Sequence, residues 1–118
     1  MKYLFLGYPN CSTSQKAKKW LKKLNPDFTD RDIVQMNPTI EELEEWIPRS
    51  GKPLKSFFNT SGVSYKLLNL KEKLPLMNEH EQIELLATDG KLIKRPLLVT
   101  DDFVLVGFKQ EEWENLVK

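Results

Sequence analysis

The chain has 118 residues, 40% of them hydrophobic and 30% charged, and its formal net charge is +1. That length supports one domain with a core of its own, and the near-neutral charge gives no basis for a direct nucleic-acid-binding face. A single cysteine excludes an intramolecular disulfide and any metal site built on several thiolates, and no metal site is expected.

Residues 2–6 read as a short buried strand, stopped at once by Gly7, Pro9 and Asn10. This apolar start is too short for the core of a signal peptide. No stretch reaches the length of a transmembrane helix, so no membrane association is expected and the cytoplasm is the expected compartment. Ala17, Trp20, Leu21 and Leu24 then fall at i, i+3, i+4 and i+7, the buried stripe of one helix. Lys16, Lys18, Lys19, Lys22 and Lys23 form its solvated side, and Asn25-Pro26 closes it. A second strand is predicted over 28–34, so the first third reads β-α-β with parallel strands.

The middle of the chain is helical. Thr39 and Glu42 make a capping box, Ile40, Leu43 and Ile47 the buried stripe, and Pro48 the predicted end. The stretch 51–70 is less regular, with Leu54, Phe57, Phe58 and Tyr65 as core candidates. Asn78 and Glu81 repeat the capping logic ahead of Ile83, Leu85 and Leu86, and Asp89-Gly90 stops that helix. Residues 97–100 and 103–106 read as a hairpin about Asp101-Asp102, and 109–117 as a closing amphipathic helix. Trp20, Trp46 and Trp113 lie in helices and read as packing residues. The order is that of an α/β, thioredoxin-like fold, β-α-β … β-β-α on a mixed sheet, with a helical insertion. One domain is expected over 1–118, its core at about 1–36 and 90–118 and its insert at about 37–89.

Cys11 falls between the first strand and the first helix. Free amides and the macrodipole of a helix N-terminus favour a thiolate there, which is one way a cysteine becomes reactive; the plain alternative is an inert buried thiol. Ser12, Thr13 and Ser14 can cap the helix and donate hydrogen bonds to an anion beside the sulfur. Arg95-Pro96 precedes the last strands, where a cis bond at a tight turn is one option and an ordinary trans bond with a solvated arginine the other. His80, the sole histidine, lies between Glu79 and Glu81 and reads as a surface residue rather than a partner of Cys11. Asp101-Asp102 reads as turn chemistry.

The segment from Tyr8-Pro9-Asn10-Cys11-Ser12-Thr13-Ser14 to Ala17 resembles the active-site segment of the glutaredoxin-linked arsenate reductase (ArsC) family, which includes the Spx and MgsR regulators. Leu92-Ile93-Lys94-Arg95-Pro96-Leu97, with Val104 to Phe108 after it, resembles the family's second signature. Residues 57–62 and 68–70 look like the insert of one branch of these proteins. The resemblance implies a thioredoxin fold with a cis-proline, Pro96, facing Cys11, and Arg95 beside the sulfur as a thiolate or oxyanion ligand. It implies three arginines around the anion in a true arsenate reductase. Here only Arg95 falls at a matching position; Asn59 stands where the insert arginine is expected, and Gly107 or its neighbour near the third. Losing two charged donors, at roughly 1.5–3 kcal/mol each, argues against efficient arsenate reduction. The regulators' Cys-x-x-Cys switch is excluded, because Ser14 stands at the second position.

The leading expectation is a monothiol oxidoreductase acting through Cys11 and Arg95. Asn10, Ser12, Thr13, Ser14 and Pro96 would bind the thiol or substrate. No cofactor is expected to be bound; a low-molecular-weight thiol such as glutathione is the expected co-substrate, and a small thiol or oxyanion, with glutaredoxin, the expected partner. Two alternatives stand beside it: an Spx-like regulator docking on the RNA polymerase α subunit, and a genuine arsenate reductase.

Overall fold

Four strands form one sheet in the order β2-β1-β3-β4. These are β1 (Tyr3–Gly7), β2 (Phe28–Asp32), β3 (Leu97–Val99) and β4 (Val104–Val106). The computed structural model describes residues 2–117. β1 pairs in parallel with β2, Tyr3 opposite Phe28, and antiparallel with β3, Phe5 opposite Leu98; β3 and β4 are antiparallel. The sheet is therefore mixed, as expected of this α/β, thioredoxin-like fold.

Helix α1 (Ser12–Leu24) crosses from β1 to β2. Between β2 and β3 lie α2 (Ile40–Ser50), two short helices α3 (Val63–Leu67) and α4 (Leu70–Lys73), and α5 (Glu79–Leu86); α6 (Gln110–Leu116) follows β4. Strand alternation distributes the core to both faces of the sheet. Tyr3, Phe5, Leu98 and Leu105 point to a layer with Ala17, Leu21, Trp113 and Val117. Leu6, Leu97, Val99, Val104 and Val106 point to the opposite layer, with Ile33, Leu43, Trp46, Phe57, Phe58 and Leu86. Covering both faces explains why β3 and β4 read as continuous apolar runs instead of alternating ones.

Both predicted capping boxes form. The Thr39 side chain accepts from Glu42 N at 3.1 Å while Glu42 Oε1 accepts from Thr39 N at 3.0 Å, and Asn78 with Glu81 does the same. Several boundaries shift. β2 ends at Asp32 rather than residue 34, because the Asp32 carboxylate accepts from Val34 and Gln35 N and turns the chain. Pro48 lies inside α2 instead of ending it; the stop comes from Gly51 at φ 68, whose amide donates to Pro48 O. Leu24, expected in the buried stripe of α1, is 56% exposed. The buried stripe of α2 is Leu43 and Trp46, with Ile40 and Ile47 half-buried. The hairpin loop is four residues, Thr100 to Phe103: Thr100 Oγ1 accepts from Asp102 and Phe103 N, which caps the turn without a tight two-residue loop. The closing helix starts one residue late and ends one early, at Gln110–Leu116.

Candidate functional site

β1 delivers the chain to Gly7 at the carboxyl end of the sheet, and Tyr8-Pro9-Asn10 turns it into α1. Cys11 N donates to Tyr8 O at 2.9 Å, and the Cys11 carbonyl accepts from Gln15 N, so the cysteine is itself the N-cap residue. Its extended backbone leaves the thiol half-exposed at the end of the helix. Ser14 is buried in the first turn, and its Oγ accepts from Tyr8 N at 3.2 Å, fastening the loop to the helix. Burial pushes the Cys11 thiol up. Hydrogen bonds from the Ser14 hydroxyl and amide, then a hydrogen bond and the positive charge of Arg95, outweigh it, and the pKa lies below the ordinary cysteine value.

Arg95 reaches this point through a second set of contacts. Phe58 and Ile93 form an isolated antiparallel bridge, flanked by Asn59 N donating to Leu92 O and Lys94 N donating to Phe57 O, both at 2.8 Å. The insert is thereby stitched to the segment before β3. The Arg95-Pro96 peptide is cis, and Pro96 O accepts from Gly107 N at 2.8 Å. The Arg95 guanidinium carbon lies 5.1 Å from the centroid of the Tyr8 ring, a cation–π placement, and Nη1 donates to Lys91 O. Its Nε is buried without a hydrogen-bond partner.

A cavity of about 580 Å³ opens at the sulfur, and its lining includes Cys11, Thr13, Asn59, Lys94, Arg95, Gly107 and Lys109. Cys11, Thr13 and Arg95 are thus together. Ser14 and Pro96 are buried and lie outside the lining. Asn10 and Ser12 are exposed and lie outside the lining; Asn10 Nδ2 instead donates to the Tyr8 hydroxyl at 3.3 Å. The N-cap position of α1 is held by Cys11 and not by Ser12, Thr13 or Ser14.

Asn59, where the resemblance implies the insert arginine, and Gly107, which with its neighbour stands near the position of the third, both line this cavity. Arg31 and Arg49 are committed elsewhere: Arg31 pairs bidentately with Glu42, at 2.8 and 2.9 Å, and Arg49 donates to Thr100 O. His80 pairs with Glu84 on the exposed face of α5, away from Cys11. Among the described residues no group of three or more His, Cys, Asp or Glu is placed to hold a metal, and no helix is long and apolar enough to cross a membrane. Sequence reasoning passed over Lys94 and Lys109 as cavity residues. The only available signal was their position flanking Arg95 and Gly107, which acquires meaning once the hairpin brings both segments to Cys11.

A profile described as the ArsC family matches residues 6–116. The chain is 50% identical over 115 residues to the uncharacterised protein YusI of Bacillus subtilis, covering 98% of each. It is 32% identical to the regulatory protein MgsR of the same organism, covering 97% of this chain and 89% of that one. Its structure superposes with a TM-score of 0.94 on an ArsC family related protein from Bacteroides fragilis, 68% identical, with 98% of each chain covered. With its thioredoxin-like sheet and its matched Cys11 and Arg95 segments, the chain belongs to the ArsC family.

Proposed function

We propose that the protein is a monothiol oxidoreductase of the cytoplasm, with Cys11 as its nucleophile. The observation that carries this reading is a half-exposed cysteine whose pKa is lowered by Ser14 and Arg95 at the mouth of an open cavity. The thiolate attacks one sulfur of a small disulfide. The S–S bond breaks, Cys11 and that sulfur form a mixed disulfide, and the other sulfur leaves as a thiolate that takes a proton from water. With no second cysteine in the chain, an external thiol of glutathione or glutaredoxin type attacks the non-protein sulfur and releases Cys11 as the thiolate. Arg95 holds the negative charge on sulfur before attack and after release, and Thr13 offers a hydroxyl to the bound group.

The test is intact-mass analysis after exposure to glutathione disulfide. One glutathione adduct on the native chain, none on Cys11→Ser, and its removal by glutaredoxin are the expected results. Absence of an adduct on the native chain across pH 6–9 would refute the reading.

A second reading draws on the 32% identity to MgsR and on exposed apolar side chains of the insert, Val63 at 72% and Leu67 at 79%. It is a regulator that docks on the RNA polymerase α subunit without a disulfide switch. Co-purification with that subunit that survives Cys11→Ser but not Leu67→Glu would favour it.

A further inference from the structure

The charged side chains lining the Cys11 cavity are Lys94, Arg95 and Lys109, and no aspartate or glutamate lines it. In a chain carrying 17 acidic and 18 basic residues, a one-signed lining of a concave surface is a local property and not a consequence of net charge. Arg95 is directed at the sulfur and stacked on Tyr8. The two lysines have no ion-pair partner among the described residues, in contrast to Lys18 with Asp30 and Lys52 with Glu112.

Lys94 is exposed, and its stem lies against the backbone at Gly107. Its amide is fixed to Phe57 O, and its side-chain stem crosses Gly107 so closely that a Cβ there would lie 2.9 Å from Lys94 Cε and 3.9 Å from Nζ. Gly107 has φ 72, a conformation in which a side chain is disfavoured, and its amide is tied to Pro96 O. The missing side chain at 107 is what lets the Lys94 stem lie across the end of β4 at the cavity. Lys109, two residues on, is the exposed N-cap residue of α6 and also lines the cavity.

Resting on the thiol-exchange reading of Cys11, we propose that Lys94, assisted by Lys109, binds an anionic group of the small thiol or disulfide that reacts there, and so selects anionic thiols over neutral or cationic ones. The roles divide by charge: Arg95 serves the sulfur, and the lysines serve a carboxylate or phosphate carried a few bonds away. Coulomb attraction in a concave site exceeds that on an open surface and weakens with salt.

The test compares the rates at which Cys11 reacts with 5,5′-dithiobis(2-nitrobenzoate), a dianion, and 4,4′-dithiodipyridine, which is neutral, each normalised to 2-mercaptoethanol. The ratio of the two cancels any change in the nucleophilicity of the sulfur. At low ionic strength the native ratio is expected to exceed one by about fivefold to tenfold, consistent with steering by two unpaired cations. Lys94→Gln lowers it about threefold, Lys94→Gln/Lys109→Gln brings it close to one, and 0.5 M NaCl erases it. Lys71→Gln on α4 makes the same change in net charge outside the cavity and leaves the ratio where it was. A normalised native ratio near one, or equal losses in Lys94→Gln and Lys71→Gln, overturns the inference while leaving Cys11 chemistry standing. Failure of Cys11 to react with either reagent overturns the thiol-exchange reading, and this inference with it. Glutathione disulfide and the disulfide of a phosphorylated thiol, run in the same assay, separate the two sources of the anion.

Discussion

Around Cys11, three groups act on one sulfur: the Ser14 hydroxyl, the Ser14 amide and the Arg95 guanidinium all favour the charged form against the cost of burial. The pH at which alkylation by iodoacetamide reaches half its maximal rate is expected below the ordinary thiol value. Ser14→Ala and Arg95→Met should each move that midpoint upward, since each removes a group that stabilises the thiolate and leaves desolvation less opposed. Arg95→Lys should recover part of the charge effect without the hydrogen-bonding geometry of the guanidinium, and give a midpoint between native and Arg95→Met. Ser14 has a second duty, accepting from Tyr8 N, so Ser14→Ala also leaves that amide unpaired and should loosen the loop, read as faster amide exchange at Tyr8.

Within the elements, the N-terminus of α2 shows how local signals and a long-range pair share one residue. Glu42 closes the capping box with Thr39 and also receives both Arg31 nitrogens, while Arg31 lies 5.8 Å above the Trp46 ring. The Arg31 hydrogen bonds come first among the causes that hold the Glu42 carboxyl below its ordinary value; burial opposes them and Thr39 adds to them. Because the folded-state pKa is depressed, this stabilisation is complete above the unfolded value of about 4.3 and is lost as pH falls through the lower folded value. Glu42→Gln should therefore cost on the order of 1–2 kcal/mol at pH 7. In urea melts its deficit should shrink toward zero as the pH is taken down through the carboxylate range. A deficit that persists unchanged at pH 2.5 would mean that packing, not the ionised carboxylate, sets the loss.

Across the whole molecule, Trp113, in the layer with Phe5 and Leu21, ties α6 to the end of β4 at the site. It is fully buried, its ring stands at right angles to Phe108 at 5.0 Å, and its Nε1 donates to Gly107 O at 3.0 Å. The same glycine thus receives α6 on one side and the Lys94 stem on the other. Trp113→Ala should cost about 3–5 kcal/mol in a denaturant melt. Trp113→Phe keeps most of the volume but strands the Gly107 carbonyl, and should cost about 1–3 kcal/mol. Gly90 is the other point where chain meets chain: a Cβ there would sit 1.9 Å from Ile33 O, so Gly90→Ala must displace the backbone after β2 and should rank among the most damaging single changes. For chemistry at the same scale, one arginine in the cavity predicts arsenate turnover no higher than a Cys11→Ser control in a glutaredoxin-coupled assay. Clear turnover would overturn that expectation.

What the residues alone determined is local. The two capping boxes, the helix period after Cys11 and the apolar strand runs follow from interactions spanning four residues or fewer, so they were readable at Thr39, Asn78 and Ala17 without knowing the fold. Cys11 between a strand and a helix was readable for the same reason. Boundaries were less so: the Asp32 side-chain turn, the passage of α2 through Pro48 and the Thr100 cap of the hairpin depend on which neighbour satisfies a given amide. Only the tertiary structure decided what surrounds the sulfur. The bridge from Phe58 to Ile93 and the hairpin from β3 to β4 bring Asn59, Lys94, Arg95, Gly107 and Lys109 to Cys11 from positions about 50 to 100 residues away. It also assigned Arg31 and Arg49 to structural pairs, and it placed Asn10 and Ser12 in solvent. Side chains acquire a common chemistry when backbone hydrogen bonds close long loops, and no short-range pattern encodes that closure.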